Sequence, residues 1–242
     1  MSLPRFLVPA LPPDDAYVLD GPEGHHASTV QRLRVGERLT LTDGRGGTAR
    51  AEVTATGRGT LTVRIDERRY EEPPDPRLVV VQGIAKGERG ELAVQAMTEV
   101  GVDEIVPWSA ARSVALWRGE RGARSRERWV TTAREATKQA RRAWLPAVAE
   151  TASTAQVARR LAAAAAALVL HEAAATPLSG VDLPDTGEIV LVVGPEGGIA
   201  DQELDEFTAA GGCPVRLGPT VLRTSTAGAA ALAVLSARLG RW

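Results

Sequence analysis

The chain has 242 residues, 44% hydrophobic and 24% charged, with a formal net charge of −1. That balance excludes wholesale disorder and fibrous repeats, and the length suits two small domains with separate cores. It also excludes a chain that is basic throughout, although a local basic surface stays open.

The charge is unevenly spread. Residues 112–142 hold ten basic and three acidic side chains, residues 143–242 hold six and ten, and the first 72 hold ten and eleven. The basic stretch fits either a solvated Arg-rich helix or a surface that binds a polyanion by releasing counterions. Lys86 and Lys138 are the only lysines, so with this much Ala and Gly the Arg usage reflects composition before function. One cysteine, Cys213, excludes an intrachain disulfide and a cysteine-built metal cage, fits a reducing compartment, and is expected to be a small buried hydrophobe. Met1–Phe6 lacks a charged-then-apolar leader pattern, and no window reaches ~18 uncharged apolar residues, so neither a signal peptide nor a membrane span is expected, and the expected location is cytoplasmic.

The first 70 residues read as β-rich. Residues 38–43, 48–54 and 60–65 alternate apolar and polar, with the Gly-rich turn 43–47 between the first two, which predicts a small barrel. Residues 24–33 predict one short helix. Prolines 73, 74 and 76 then stop any helix or central strand, which places a domain boundary near residue 72. Beyond it, continuous apolar runs at 78–81, 167–170 and 189–193 and the segment 104–108 alternate with helical patterns at 91–100, through 142, at 154–165, 201–210 and 226–239. A further strand is expected at 215–217. Apolar strands alternating with helices predict a parallel sheet covered on both faces. The alanine run 162–167 reads as helix surface or core filler.

Val193-Gly194-Pro195-Glu196-Gly197-Gly198-Ile199 follows the clearest buried strand and precedes an acidic helix start. Ligands of open α/β sheets bind at the carboxyl ends of strands, where this loop lies, and glycine lets them approach the backbone. It is not a P-loop, because Ile-Ala stands where Lys-Ser/Thr is needed, and it lacks the GxGxxG spacing of dinucleotide folds. Glu196 would repel a pyrophosphate, so a neutral or cationic ligand is indicated. A second segment, Leu217-Gly218-Pro219-Thr220-Val221-Leu222-Arg223-Thr224-Ser225-Thr226-Ala227, sets apolar residues in a loop and offers Thr224 or Ser225 as a cap for the last helix.

The pair GPEGG and LGPxVLRTxTA resembles the SPOUT methyltransferases, and most closely the ribosomal RNA small subunit methyltransferase E family. Arg5-Phe6, His25-His26, Arg32-Leu33-Arg34 and Asp43-Gly44-Arg45-Gly46 are similar to its PUA-like RNA-binding domain. Lys86-Gly87, Glu99-Val100-Gly101-Val102 and Ile105-Val106-Pro107 are similar to the opening of its catalytic domain, and Glu135-Ala136, Gln139, Arg142 and Pro146 to a later segment. Two positions depart from the family: Lys138 and Ser225 stand where it often has Glu.

The resemblance implies an α/β fold, with a PUA-like β-barrel over residues 1–72 and a trefoil-knotted SPOUT methyltransferase domain over 73–242. It implies a homodimer that uses S-adenosylmethionine to methylate N3 of a uridine in the decoding region of 16S rRNA, free or in the small ribosomal subunit. The cofactor would lie against Gly194, Pro195, Glu196, Gly197 and Gly198, and against Leu217, Gly218, Val221, Leu222, Arg223, Thr224, Thr226 and Ala227, with Leu170 and His171 at its border. Arg142, Arg112 and Arg223, in that order, are the candidates to stabilise negative charge on the uracil ring. RNA contacts are expected from Arg5, Arg32, Arg34, Lys86, Arg112, Gln139 and Arg142. No metal is expected, since His25, His26 and His171 are too scattered to form a triad. His25-His26 suits a packed helix or RNA stacking, and Trp108, Trp117, Trp129 and Trp144 suit buried contacts or base stacking. Rival readings are a SPOUT enzyme acting on another RNA, and a non-catalytic RNA-binding or ribosome assembly factor.

Overall fold

The computed structural model describes residues 3–242. They form two compact units, residues up to Pro73 with Thr137–Leu145, and Pro74–Ala136 with Pro146–Trp242. The first change of unit falls at the proline cluster. The nine-residue return of 137–145 to the first unit has no mark in the sequence, because long-range contacts decide it.

The first unit contains β1 (Arg5–Leu7), β2 (Ala16–Leu19), a short α1 (Gly21–His25) that runs into a π turn at His26–Val30, then β3 (Arg38–Thr42), β4 (Gly47–Gly57) and β5 (Thr60–Tyr70). Its sheet has the order β1-β3-β4-β5-β2, parallel only between β1 and β3. Where a barrel is expected, an open order of five strands is observed, and register shifts at Arg50/Ala51 and Val53/Ala55 mark the bulges that bend it. One face buries Phe6, Leu39, Leu41, Ala49, Ala51, Val53, Leu61, Val63 and Ile65, the apolar half of the period-2 pattern. The short helix starts at Gly21, before the expected residue 24, because Pro22 fits the first helical turn, where no N–H is needed. His26 packs edge-on against Phe6, with ring centroids 6.1 Å apart, which gives the packed role to this histidine.

Lys138 belongs to the first unit. Its Nζ donates to Glu23 Oε1 at 3.0 Å, with both side chains nearly buried. Lys138 thus faces an acid on α1 that matches its charge. Trp144 also joins this unit, stacking edge-on with Tyr70 and donating from Nε1 to the Glu71 carbonyl at 2.9 Å.

The second unit contains β6 (Arg77–Gly83), α2 (Arg89–Val100), β7 (Glu104–Trp108), α3 (Gly119–Gln139), β8 (Ala147–Val148), α4 (Thr154–Ala163), β9 (Ala166–Leu170), β10 (Thr176–Pro177), β11 (Glu188–Val193), α5 (Asp201–Ala209), β12 (Cys213–Arg216) and α6 (Thr224–Arg238), with the last turn of α3 counted in the first unit. Its seven strands are all parallel, in the order β10-β12-β9-β11-β6-β7-β8. Val80, Leu191 and Leu168 sit in a core with α2 and α6, while Val79, Val81, Val190 and Val192 sit in a second core with α4 and α5. Both faces are therefore covered, and the runs are apolar throughout for that reason. Trp108 and Trp129 are buried in these cores, Trp108 against Phe207 and Trp129 against Trp117, so contacts within the protein account for all three.

Two expectations are corrected. The helix expected over 154–165 ends at Ala163, and Ala166–Ala167 open β9, where they pair with Ile189 and Val190 of β11 and pack against the two cores. Cys213 is exposed, because it opens β12 directly after the Gly211-Gly212 turn.

Candidate functional site

A cavity of about 810 Å³ in the second unit lies at the carboxyl ends of β9, β11 and β12. This is where a parallel sheet with helices on both faces presents a ligand site. Two loops frame it, 194–200 after β11 and 217–223 after β12.

Glycine has a specific job in the first loop. The Gly198 N–H donates to the Pro195 carbonyl at 2.9 Å, closing a turn, and Gly198 has φ +73°, a value that strains any other L residue. A Cβ on Gly197 would meet the Arg112 backbone oxygen at 3.0 Å, and one on Gly83 at the end of β6 would meet Pro195 N at 2.5 Å. The loop is thus wedged between the β6 terminus and the Arg112 segment.

A buried polar clasp joins the framing elements. Thr224 Oγ1 donates to the Gly194 carbonyl at 2.8 Å and accepts from Gln82 Nε2 at 2.9 Å. Gln82 is fully buried, and its Oε1 has no partner. One side chain on β6 and one at the start of α6 therefore fix the position of the loop after β11. Thr224 is not the cap expected of it: Arg223 is the N-cap and Thr224 the first helical residue. Ser225 is buried in the same turn.

The charges are mixed. The Glu196 carboxylate accepts from the Lys86 N–H at 3.0 Å and from Arg89 Nη1 at 3.3 Å. Burial pushes its pKa up, but hydrogen bonds from its own and the Lys86 backbone N–H, together with Arg89, outweigh that and hold it below the ordinary carboxylate value. Glu196 is therefore ionised at neutral pH. Arg112 Nη1 donates to the Ile199 carbonyl at 3.2 Å, and its Nη2 lies 3.8 Å from Asp201.

Of the expected cofactor residues, Leu170, His171, Gly194, Pro195, Glu196, Gly197, Gly198, Leu217, Gly218, Val221, Leu222, Arg223, Thr224 and Ala227 line this cavity. Thr226 does not; it is exposed, and its hydroxyl donates to the Arg223 carbonyl at 3.1 Å, as its place on the outer side of the first turn of α6 requires. Arg112 and Arg223 line the cavity, whereas Arg142 belongs to the first unit, as do Arg5, Arg32, Arg34 and Gln139. Lys86 meets the site through its backbone. Sequence reasoning missed Arg89, Glu172, Arg216 and Gln82; a glutamine ending the run Leu78-Val79-Val80-Val81 was the available signal for the last. Among the described residues, no group of three or more His, Cys, Asp or Glu could hold a metal, and no helix is long and apolar enough to cross a membrane.

Known proteins share this architecture. A family model for an RNA methyltransferase domain matches residues 71–236, and one for an RNA methyltransferase PUA domain matches residues 19–66. The chain is 47% identical over 242 residues to the ribosomal RNA small subunit methyltransferase E of Mycobacterium bovis, covering 98% of this chain and 92% of that one. It is 29% identical to the protein of the same name from Bacillus subtilis, over 91% and 89% of the two chains. The crystal structure of the Neisseria gonorrhoeae protein of that name bound to S-adenosyl methionine superposes with a TM-score of 0.87 at 28% identity, over 98% of both chains. A Legionella pneumophila structure in complex with the bound cofactor superposes with a TM-score of 0.86 at 30% identity, again over 98% of both.

Proposed function

The chain belongs to the ribosomal RNA small subunit methyltransferase E family, and we propose that it transfers a methyl group from S-adenosylmethionine to N3 of a uridine in the decoding region of 16S rRNA. The observation that carries this reading is the cavity at the ends of three parallel strands, framed by two loops that the Thr224 hydroxyl and Gln82 hold together.

The residues present fit the cofactor. Leu170, Leu217, Val221 and Leu222 offer apolar surface for a planar base. A Cβ on Gly198 or Gly218 would meet nothing within 4 Å, so both glycines leave open space at the cavity where a side chain would intrude. The ionised Glu196 tolerates a sulfonium and would repel a phosphate.

When bound, S-adenosylmethionine supplies an electrophilic methyl on a positively charged sulfur. The N3 proton would pass to water, leaving negative charge over the uracil ring, and the N3–methyl bond would form as the methyl–sulfur bond breaks, with a neutral thioether leaving. A guanidinium beside the ring stabilises that charge without itself giving up a proton. That Arg112 and Arg223 line the cavity, with Arg112 donating to the Ile199 carbonyl, supports this role for them. Arg142 stays a candidate for the same role and, with Arg5, Arg32, Arg34 and Gln139, all in the first unit, for RNA contacts. The wedged loops would hold the methyl donor, and such alignment would supply much of the acceleration.

The same reading makes the protein a cytoplasmic homodimer with the catalytic domain knotted. Leu92, Val114 and Leu116, each more than half exposed, are apolar surface that a second copy would cover. The test is methyl transfer from labelled cofactor to small subunits and to free 16S rRNA lacking the modification, followed by nucleoside mass spectrometry. 3-Methyluridine is the expected product. A different methylated nucleoside, or cofactor binding without transfer to either substrate, would overturn the assignment.

A further inference from the structure

The first unit holds a separate cavity of about 250 Å³ on the polar face of its sheet. Strand register explains its composition. Arg5 pairs with Thr40, Thr40 with Arg50 and Arg50 with Glu67, so one row crosses β1, β3, β4 and β5. Thr48 and Arg69, a facing pair of the next row on that face, complete the wall together with Arg141. Four arginines and one glutamate thus line it. Glu67 is shared between Arg50 at 3.5 Å and Arg69 at 2.5 Å.

Two features single out Arg5 and Arg141 in this wall. Arg5 is anchored by Nη1 on the Arg141 carbonyl at 2.5 Å, while its buried Nε has no acceptor. Burial lowers its pKa, Glu71 pulls it up and the Arg141 charge lowers it further, with a net depression. Arg141 has φ +57°, a left-handed conformation unfavourable for a residue with a Cβ. Guanidinium forks from three separate strands, those of Arg5, Arg50 and Arg69, suit a tetrahedral oxyanion.

We propose that this cavity is a phosphate site that seats one phosphodiester of the RNA substrate, apart from the methyl-transfer cavity. The proposal rests on the RNA-modifying reading given above, and it says where on the first unit the strand is gripped.

The test uses the full chain and a labelled single-stranded oligoribonucleotide across a salt series. Arg50 and Arg69 are 58% and 65% exposed, so Arg50→Gln with Arg69→Gln leaves the core intact. The control is Arg64→Gln, equally exposed on β5, which pairs with Glu52 and Asp66 outside the cavity. The double variant should bind RNA about tenfold more weakly at physiological salt, and the slope of log K against log salt should fall by about 0.7 for the lost contact. The Arg64→Gln variant should move neither, and all forms should give the same heat with S-adenosylmethionine. A double variant with the affinity and slope of Arg64→Gln overturns the proposal. Heat of pyrophosphate binding that the double variant loses while RNA affinity stays intact would also overturn it, in favour of a free-phosphate ligand. Failure of the wild type to bind S-adenosylmethionine, with this RNA pattern present, would sink the methyltransferase reading and leave the phosphate site standing.

Discussion

Thr224→Val keeps the shape of a buried side chain and removes the hydroxyl that holds the cavity together. Thr224 is 7% exposed and Gln82 is fully buried, so water cannot readily replace the lost partner of Gln82 Nε2, which keeps only the Gly83 carbonyl at 3.2 Å. Two hydrogen bonds disappear, each worth about 1 kcal/mol net, and a buried amide that already lacks a partner for Oε1 loses another. The expected loss of stability is about 3 kcal/mol. With the Gly194 carbonyl released, the loop after β11 no longer has a fixed position, and S-adenosylmethionine affinity should fall at least about tenfold, equivalent to about 1.4 kcal/mol. Thr224→Ser keeps the hydroxyl and should bind the cofactor normally while losing about 1 kcal/mol of stability for one methyl. Urea unfolding followed by circular dichroism and calorimetric titration with the cofactor measure the two quantities. If Thr224→Val unfolds within about 0.5 kcal/mol of the wild type and binds equally well, the clasp does not organise the site.

Gly83→Ala should abolish cofactor binding, because its Cβ would stand 2.5 Å from Pro195 N and the loop must move; unchanged titration heats would refute the wedge. Arg112→Ala should slow methyl transfer about 100-fold with the fold intact, read as turnover at saturating cofactor, and near-normal turnover would remove it from the mechanism. Lys138→Ala should destabilise the first unit by about 2–3 kcal/mol, with part of that recovered when Glu23 and Lys138 are exchanged; additive losses would show that the pair is not coupled. Glu104 predicts a pH dependence. Burial raises its pKa, but hydrogen bonds and charge from Arg160 and Arg77 prevail and hold it below the ordinary 4.5. A folded pKa below the unfolded one means stability that is present above about pH 4.5 and lost as pH falls through the folded value. Glu104→Gln should be less stable than the wild type at pH 7, and the difference should narrow as pH falls below 4.5, measured by thermal unfolding across that range.

Much of the second unit was legible because its strands are buried on both faces and read as continuous apolar runs, such as Ile189–Val193. The glycine loops were legible because backbone approach needs residues without a Cβ. The strands that escaped are β1, β2, β8 and β10, of two to four residues, which are too short to display a period and form only because a neighbour supplies hydrogen bonds. Gln82 escaped because one polar residue at the end of an apolar strand does not reveal which distant hydroxyl it meets. The arginine row of the first sheet escaped as a group, since Arg5, Arg50 and Arg69 are brought together by register alone.

The return of residues 137–145 bears on how the chain folds during synthesis. Leu145 donates from its N–H to the Gly44 carbonyl at 2.9 Å, and Gly46 donates to the Ala143 carbonyl at 3.1 Å, so the Asp43–Gly47 turn is completed by a segment made some hundred residues later. A nascent polypeptide halted at Pro73 would emerge with that turn uncapped, and its amino-terminal unit should stay open to proteolysis until residue 145 has left the ribosome tunnel.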